Sequence, residues 1–309
     1  MQATKNNIEA DLKKEMQRRG LSNRQTGRML GVSATTISQI INGRYNIVPE
    51  LENKIMDFLN SSQSKENQKE ATHSVTTLVE TSTYKKVLEA INIMYVEMSI
   101  GVIYGEAGIG KSRALKEFKK EMSRTILIQA TPAYTAKELF KALHIRLGGD
   151  GKGTLNGLFN EVVQHLSGSE RVVIIDEAEN LPNQALDMLR RLWDMTKDDE
   201  SDEGTISLVL VGLERLLYNL KGKRGEFSQL YSRVAIAVKL GNLRENDTKK
   251  FLKEGVKGGE EYYKMFHELS GGNIRTLKNL LKRSITISNI NNIQLSEKAI
   301  KTANKQLVK

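Results

Sequence analysis

The chain has 309 residues, enough for about two domains with room for a small third. Hydrophobic residues make up 39% and aromatic residues 6%, the balance of a helix-rich globular protein. No apolar run approaches the roughly 20 residues of a membrane span, and the polar start MQATKNNIEA lacks a signal-peptide core. The expected place is therefore the cytoplasm, with no membrane partner. The absence of cysteine excludes disulfides, thiol catalysis and a cysteine zinc site, and four scattered histidines offer no metal-ligand spacing. The net charge of +10 sits at the ends: residues 1–60 carry nine Lys/Arg against six Asp/Glu, residues 61–243 carry 24 of each, and residues 244–309 carry 14 against seven. Two basic surfaces flank a neutral middle, and double-stranded DNA is the natural polyanion for them, a solvated basic helix surface being the plain alternative.

In chain order, Glu9–Leu59 reads as compact helices: an amphipathic helix, then LSNRQTGRMLGVSATTISQIINGRY, then a helix through Leu51–Leu59. The middle string has the form of a helix-turn-helix. Asn23 is expected to cap the first short helix, Gly31 to make the turn, Val32 to pack inward and Ser33 to cap a second helix with Ile37, Ile40 and Ile41 on one face. Thr35, Thr36, Ser38 and Gln39 then occupy the opposite face, suited to a major groove, with Arg24, Arg28 and Arg44 placed for phosphate. A helical domain used for protein docking is the alternative. Residues 1–60 are read as this domain, and 61–77, polar and without periodicity, as a linker.

Residues 78–240 read as an α/β core. An entry helix at Tyr84–Met94 precedes strand Ile100–Tyr104, followed by strand Ile126–Ala130, helix Ala136–Leu147, a flexible turn at Gly148–Gly153, helix Leu155–Leu166, strand Val172–Ile175, helix Asn183–Thr196, an acidic loop at Lys197–Glu203 and strand Ser207–Val211. The alternation requires an open parallel sheet.

Two motifs in this core carry chemistry. Gly105, Glu106, Ala107, Gly108, Ile109, Gly110, Lys111 and Ser112 form G-x-x-x-x-G-K-S directly after an apolar strand. Its glycines let backbone N–H groups curl around phosphate at a helix start that opens with Lys111, Ser112 and Arg113. Lys111 is placed for the β- and γ-phosphates and Ser112 for Mg²⁺, the one metal expected. In VVIIDE, four aliphatic residues deliver Asp176 to hold the metal through water and Glu177 to polarise attacking water. Together they point to a nucleoside triphosphate, and Glu177 makes hydrolysis the expected activity.

Residues 241–309 read as a helical bundle, with helices near Glu245–Val256, Tyr262–Leu269, Ile274–Ile287 and Ser296–Gln306. In LSGGNIRTL the glycine pair starts a helix with Arg275 on its first turn.

The phosphate loop, the Asp-Glu motif, the Arg in LYSRV (Leu230–Val234) and the glycine-rich helix start with Arg275 together resemble the AAA+ ATPases. With the amino-terminal helix-turn-helix, the polar linker and the basic carboxy-terminal bundle, the chain from about residue 9 onward is similar to the phage transposition target-DNA activator family. The resemblance implies an AAA+ fold with a helical lid, ATP and Mg²⁺ as cofactors, self-assembly into filaments on DNA of little sequence preference, a DDE transposase as partner, and release on hydrolysis. It further implies that Lys111 and Glu177 serve hydrolysis, that Arg233 is an arginine finger reaching a neighbour's γ-phosphate, and that Arg275 is a sensor on the lid. For both arginines an ordinary ion pair is the alternative. Lys137, Lys141, Arg146 and Lys152 are candidates for DNA contacts made by the core. A helicase- or initiator-loading ATPase and a nucleotide-switched transcription regulator remain alternatives. Leu213 departs from the family pattern by following a core strand where a hydrogen-bonding side chain is usual. Either turnover is slow or the polar role is filled from elsewhere.

Overall fold

A computed structural model describes residues 5–59, 79–198, 200, 203–221, 228–256, 259–291 and 293–307. The stretch read as a linker and residues 199, 201 and 202 of the acidic loop lie outside the described residues. The chain divides into two compact units, residues 1–77 with 282–299, and residues 78–281 with 300–309.

In the first unit, α1 (Lys5–Arg19), α2 (Asn23–Leu30), α3 (Ala34–Ile41) and α4 (49–59) surround one apolar cluster. Leu12, Ile37, Ile40 and Ile55 are fully buried there. The helix-turn-helix is present, with one correction at its start. The α2 cap is Ser22 rather than Asn23: its Oγ accepts the Gln25 N–H, and the Gln25 side chain accepts the Ser22 N–H in return. A Ser three residues before Gln satisfies two helix-end donors at once, which a lone Asn does not. Gly31, at φ 72°, ends α2, and Ser33 caps α3 as expected.

The second unit is built on a five-stranded parallel sheet: β1 (Ile100–Tyr104), β2 (Thr125–Gln129), β3 (Val172–Asp176), β4 (Ser207–Gly212) and β5 (Val234–Lys239), in the order β2-β3-β4-β1-β5. Strands β3 and β4 are buried throughout, the mark of parallel strands covered on both faces. Val173 and Ile175 join α7 (Ala136–Arg146), α8 (Leu155–Leu166) and α9 (Asn183–Met195) on one side. Val172 and Ile174 join α5 (Ser82–Val96) and α6 (Lys111–Glu121) on the other. Strand β5 is absent from the sequence reading. It lies at the sheet edge beside β1, and its half-buried Val234, Ile236 and Val238 alternate with exposed Ala235, Ala237 and Lys239, so it lacks the unbroken large aliphatics of β3 and β4.

After β4 come α10 (Glu214–Lys221) and the short α11 (Ser228–Tyr231). After β5 come α12 (Glu245–Gly255), α13 (Tyr263–Ser270), α14 (Ile274–Ile290) and α15 (Glu297–Lys305), close to the expected helices. Buried Asp247 at the start of α12 accepts the Ser82 N–H at the start of α5, at 2.9 Å. The Gly148–Gly153 turn, read as flexible, is anchored instead: buried His144 Nδ1 accepts the Gly151 N–H at 3.1 Å, and its Nε2 lies 2.6 Å from Glu161 Oε2.

Ile37 is at the centre of the first unit, so Ile37→Ala is expected to cost that unit about 2–5 kcal/mol. Amide hydrogen exchange of the full chain would show lost protection across residues 8–55 with unchanged protection in β1, β3 and β4.

Candidate functional site

The phosphate loop leaves the carboxyl end of β1, between β4 and β5, where ligands of open parallel sheets bind. Gly105 N–H donates to the Gly212 carbonyl at 3.2 Å, fixing the start of the loop to β4. Gly108 and Gly110 have φ of 81° and 100°, a left-handed backbone that a side chain strains. Space makes the same demand. A Cβ on Gly108 would lie 2.6 Å from Asn273 Oδ1 and 2.9 Å from Arg275 Cβ.

That close approach is the contact between loop and lid. The Asn273 Nδ2 donates to the Ala107 carbonyl at 2.7 Å, and its Oδ1 accepts the Thr276 N–H at 3.2 Å as the cap of α14. The Arg275 N–H donates to the Gly108 carbonyl at 3.0 Å. One Asn side chain thus starts the helix and ties it to the loop.

Loop and helix enclose a cavity of about 510 Å³, lined by Ala107, Gly108, Gly110, Lys111, Ser112, Arg113, Glu177, Leu213, Ile274, Arg275, Lys278 and Asn279. Four of these are cationic. Lys111 is buried, and its Nζ donates to the Gly105 and Glu106 carbonyls at 2.9 and 2.8 Å. Burial pushes its pKa down, against the upward pull of Glu179, Asp176 and Glu177. Lys278 is also shifted down, by burial and then by Arg113, so an anion in the cavity would relieve both. Asp176 is buried at the end of β3, where its Oδ1 accepts the Glu177 N–H at 3.0 Å. Burial raises the Glu177 pKa, and Glu179 and Asp176 raise it further. Glu177 also has a left-handed backbone, φ 57°, unusual for a residue with a side chain.

The cavity therefore gathers Gly108, Gly110, Lys111, Ser112, Arg113, Glu177 and Arg275 from the sequence reading, with Gly105, Glu106, Ile109 and Asp176 in the loop and strand beneath. Leu213 lines it too and brings no hydrogen-bonding group. Sequence reasoning missed Asn273, Lys278 and Asn279. A helix-cap signal marks Asn273 in GGNIR, and the i, i+3 spacing from Arg275 places Lys278 on the same face of α14.

Arg233 is elsewhere. It precedes β5, whose Val234 pairs with Ile100 at the start of β1, whereas the phosphate loop follows Tyr104 at the far end, about 13 Å of strand away. Its Nε lies 3.0 Å from Asp194 Oδ1 in a partly exposed ion pair. Lys137, Lys141, Arg146 and Lys152 are all exposed, the first three on α7 and Lys152 in the anchored glycine turn, 3.7 Å from Asp150 Oδ2. On the helix-turn-helix, Arg24, Arg28, Thr35, Gln39 and Arg44 are exposed. Thr36 and Ser38 are half-buried, and the Thr36 hydroxyl is hydrogen-bonded to that of Ser33 at 2.8 Å. Among the described residues no helix is long and apolar enough to cross a membrane.

Residues 96–220 match the family model for an AAA domain, and residues 12–62 match a helix-turn-helix. The chain is 27% identical over 278 residues to the Mu-like prophage FluMu DNA transposition protein B of Haemophilus influenzae, covering 86% of this chain and 92% of that protein. It is 27% identical over 289 residues to the ATP-dependent target DNA activator B of Escherichia phage Mu, covering 90% and 87%. Among solved structures it resembles Cdc6p from Pyrobaculum aerophilum, with a TM-score of 0.59 at 14% identity over 76% of this chain and 69% of that one. It also resembles the Aeropyrum pernix ORC1 protein in complex with DNA, with a TM-score of 0.56 at 15% identity over 76% and 69%. These structures show the AAA+ fold, which this chain has.

Gly108→Ala is expected to weaken nucleotide binding by about tenfold or more, since left-handed strain alone costs about 1–2 kcal/mol and the new methyl also displaces Asn273. Asn273→Ala removes a contact worth about 0.5–1.5 kcal/mol and is expected to weaken binding less. Titration with a fluorescent ATP analogue ranks the two.

Proposed function

We propose that this chain, an AAA+ ATPase homologous to the Mu transposition B proteins, is an ATP-controlled DNA-binding protein that activates target DNA for transposition. It assembles as a helical filament on DNA of little sequence preference, recruits and stimulates a DDE transposase, and is released when ATP is hydrolysed. In this reading residues 1–60 are the DNA-binding helix-turn-helix, 61–77 a linker, 78–240 the ATPase core and 241–309 the helical lid.

The observation that carries the reading is the separation of Arg233 from the phosphate loop of its own chain. A guanidinium aimed at a γ-phosphate is worth about 10³–10⁵ in rate, and here it serves a neighbouring copy. Its ion pair with Asp194 does not oppose this, because a partly exposed pair contributes only about 0–1 kcal/mol and is readily exchanged for phosphate. Hydrolysis then depends on assembly, and assembly depends on ATP.

The donor set supports a magnesium nucleotide. Lys111, Arg113, Arg275 and Lys278 put four cations around a cavity of triphosphate scale, and the loop N–H groups and the α6 N-terminus add donors at its floor. The Ser112 hydroxyl and the Asp176 carboxylate are the residues that would hold Mg²⁺, which would supply neutralisation of phosphate charge. Glu177, with its raised pKa, orients the attacking water and accepts its proton. Arg24, Arg28 and Arg44 reach DNA phosphates, Thr35, Thr36, Ser38 and Gln39 face the groove, and Lys137, Lys141, Arg146 and Lys152 contribute phosphate contacts from the core.

Electron microscopy with a long random-sequence duplex is the direct test. Filaments with ATP, and none with ADP or without nucleotide, are expected; equal DNA binding in all three states overturns the proposal. Lys111→Ala should lose ATP-dependent DNA binding. Glu177→Gln should retain it and form longer-lived complexes. Arg233→Ala should bind ATP normally yet lose hydrolysis on DNA, and wild-type turnover by that variant overturns the finger assignment.

A further inference from the structure

Glu177 is held in a left-handed backbone at the mouth of the nucleotide cavity, a conformation that costs an ordinary residue about 1–2 kcal/mol. Such strain persists only where the surroundings enforce it. The turn that follows is short. The Asn180 N–H donates to the Glu177 carbonyl at 2.9 Å, closing a single 3₁₀ turn over Ala178–Asn180.

The outer side of that turn is gripped from another element. Arg215, on the first turn of α10, donates through Nη2 to Asn180 Oδ1 at 3.2 Å, and its Nε lies 3.8 Å from Glu179 Oε1. The Glu179 side chain is fully buried, and neither carboxylate oxygen has a hydrogen-bond partner among the described residues. It is wedged against the end of β4 so that Gly212 has no room for a Cβ beside Glu179 Oε2. A buried carboxylate without hydrogen bonds is costly, and the Arg215 charge is its nearest compensation. Arg215 is two residues beyond Leu213, the position that lacks a polar side chain.

We propose that Arg215, drawn in by buried Glu179 and bonded to Asn180, is a positioning residue for hydrolysis that clamps the 177–180 turn and thereby aims the Glu177 carboxylate. Leu213 lines the cavity with an apolar side chain, and the polar control exerted from the end of β4 passes instead through Arg215 to the backbone that carries Glu177. Arg215 does not line the cavity and acts on the direction of Glu177, whereas Glu179 also pulls on Lys111, so the Arg215 variants are the ones that separate direction from nucleotide affinity. The inference rests on the reading of Glu177 as the residue that orients water.

The test uses the full-length protein with duplex DNA, measuring steady-state ATP turnover, the Kd for a fluorescent ATP analogue, and exchange of the Asn180 amide. Arg215→Ala is expected to lower kcat by about 10- to 100-fold, the scale of a misplacement near 1 Å, with Kd and melting temperature unchanged and faster Asn180 exchange. Arg215→Lys should recover part of the rate by keeping the charge beside Glu179. Glu179→Gln, nearly isosteric, should fall in the same direction, and the double variant Arg215→Ala/Glu179→Gln should be no worse than the poorer single one. Wild-type kcat in Arg215→Ala, a loss of kcat matched by a loss of affinity, or strictly additive effects overturn the clamp. Glu177→Gln separates the two failures. If it is inactive while Arg215→Ala is fully active, only the clamp is wrong; if it turns over normally, the reading of Glu177 falls and the clamp with it.

Discussion

The hydrogen bonds that tie the first turn of α14 to the phosphate loop, from Asn273 to the Ala107 carbonyl and from Arg275 N–H to the Gly108 carbonyl, set the geometry of everything around the nucleotide cavity. Because they are made by backbone carbonyls of the loop, they require Gly108 to be free of a side chain, and they place Arg275 and Lys278 above Lys111 without any separate device. The loop itself is anchored on the other side by Gly105 to β4. Phosphate binding, lid placement and sheet register therefore share a few atoms, and a change at one is felt at the others.

Charge balance follows from this arrangement. The cavity brings Lys111, Arg113, Arg275 and Lys278 together, and two of them are already shifted toward loss of their proton by burial. Asp176, Glu177 and Glu179 oppose that positive field from the end of β3. On the proposed function, a triphosphate would add the negative charge that the cations lack, and Glu177, pressed upward by burial and by its two carboxylate neighbours, would be the better proton acceptor.

Much of this was legible in the sequence, for identifiable reasons. Strands buried on both faces, such as VVIID, advertise themselves as unbroken apolar runs, and the glycine spacing of the loop has few other uses. Strand β5 was hidden because an edge strand half open to solvent reads as an ordinary alternation with alanines. The cap of α2 fell one residue from its expected place because the reciprocal Ser22 and Gln25 bonds outweigh a neighbouring Asn. Asn273 carries a readable cap signal in GGNIR. The pairing of Glu179 and Asn180 with Arg215 could not be read at all, since 35 residues separate Asn180 from its partner and only the adjacency of β3 and β4 brings them together.

The displacement of Arg233 to the opposite end of the sheet has a kinetic consequence. If that guanidinium works only on a neighbouring copy, an isolated chain keeps its bound nucleotide until the nucleotide simply dissociates, and its chemical clock does not run. Turnover per chain then rises with protein concentration and with crowding along a strand of DNA. Chains at the growing end of an array, lacking one neighbour, age differently from those inside it. On that proposal the molecule would measure local density and record the answer as elapsed hydrolysis.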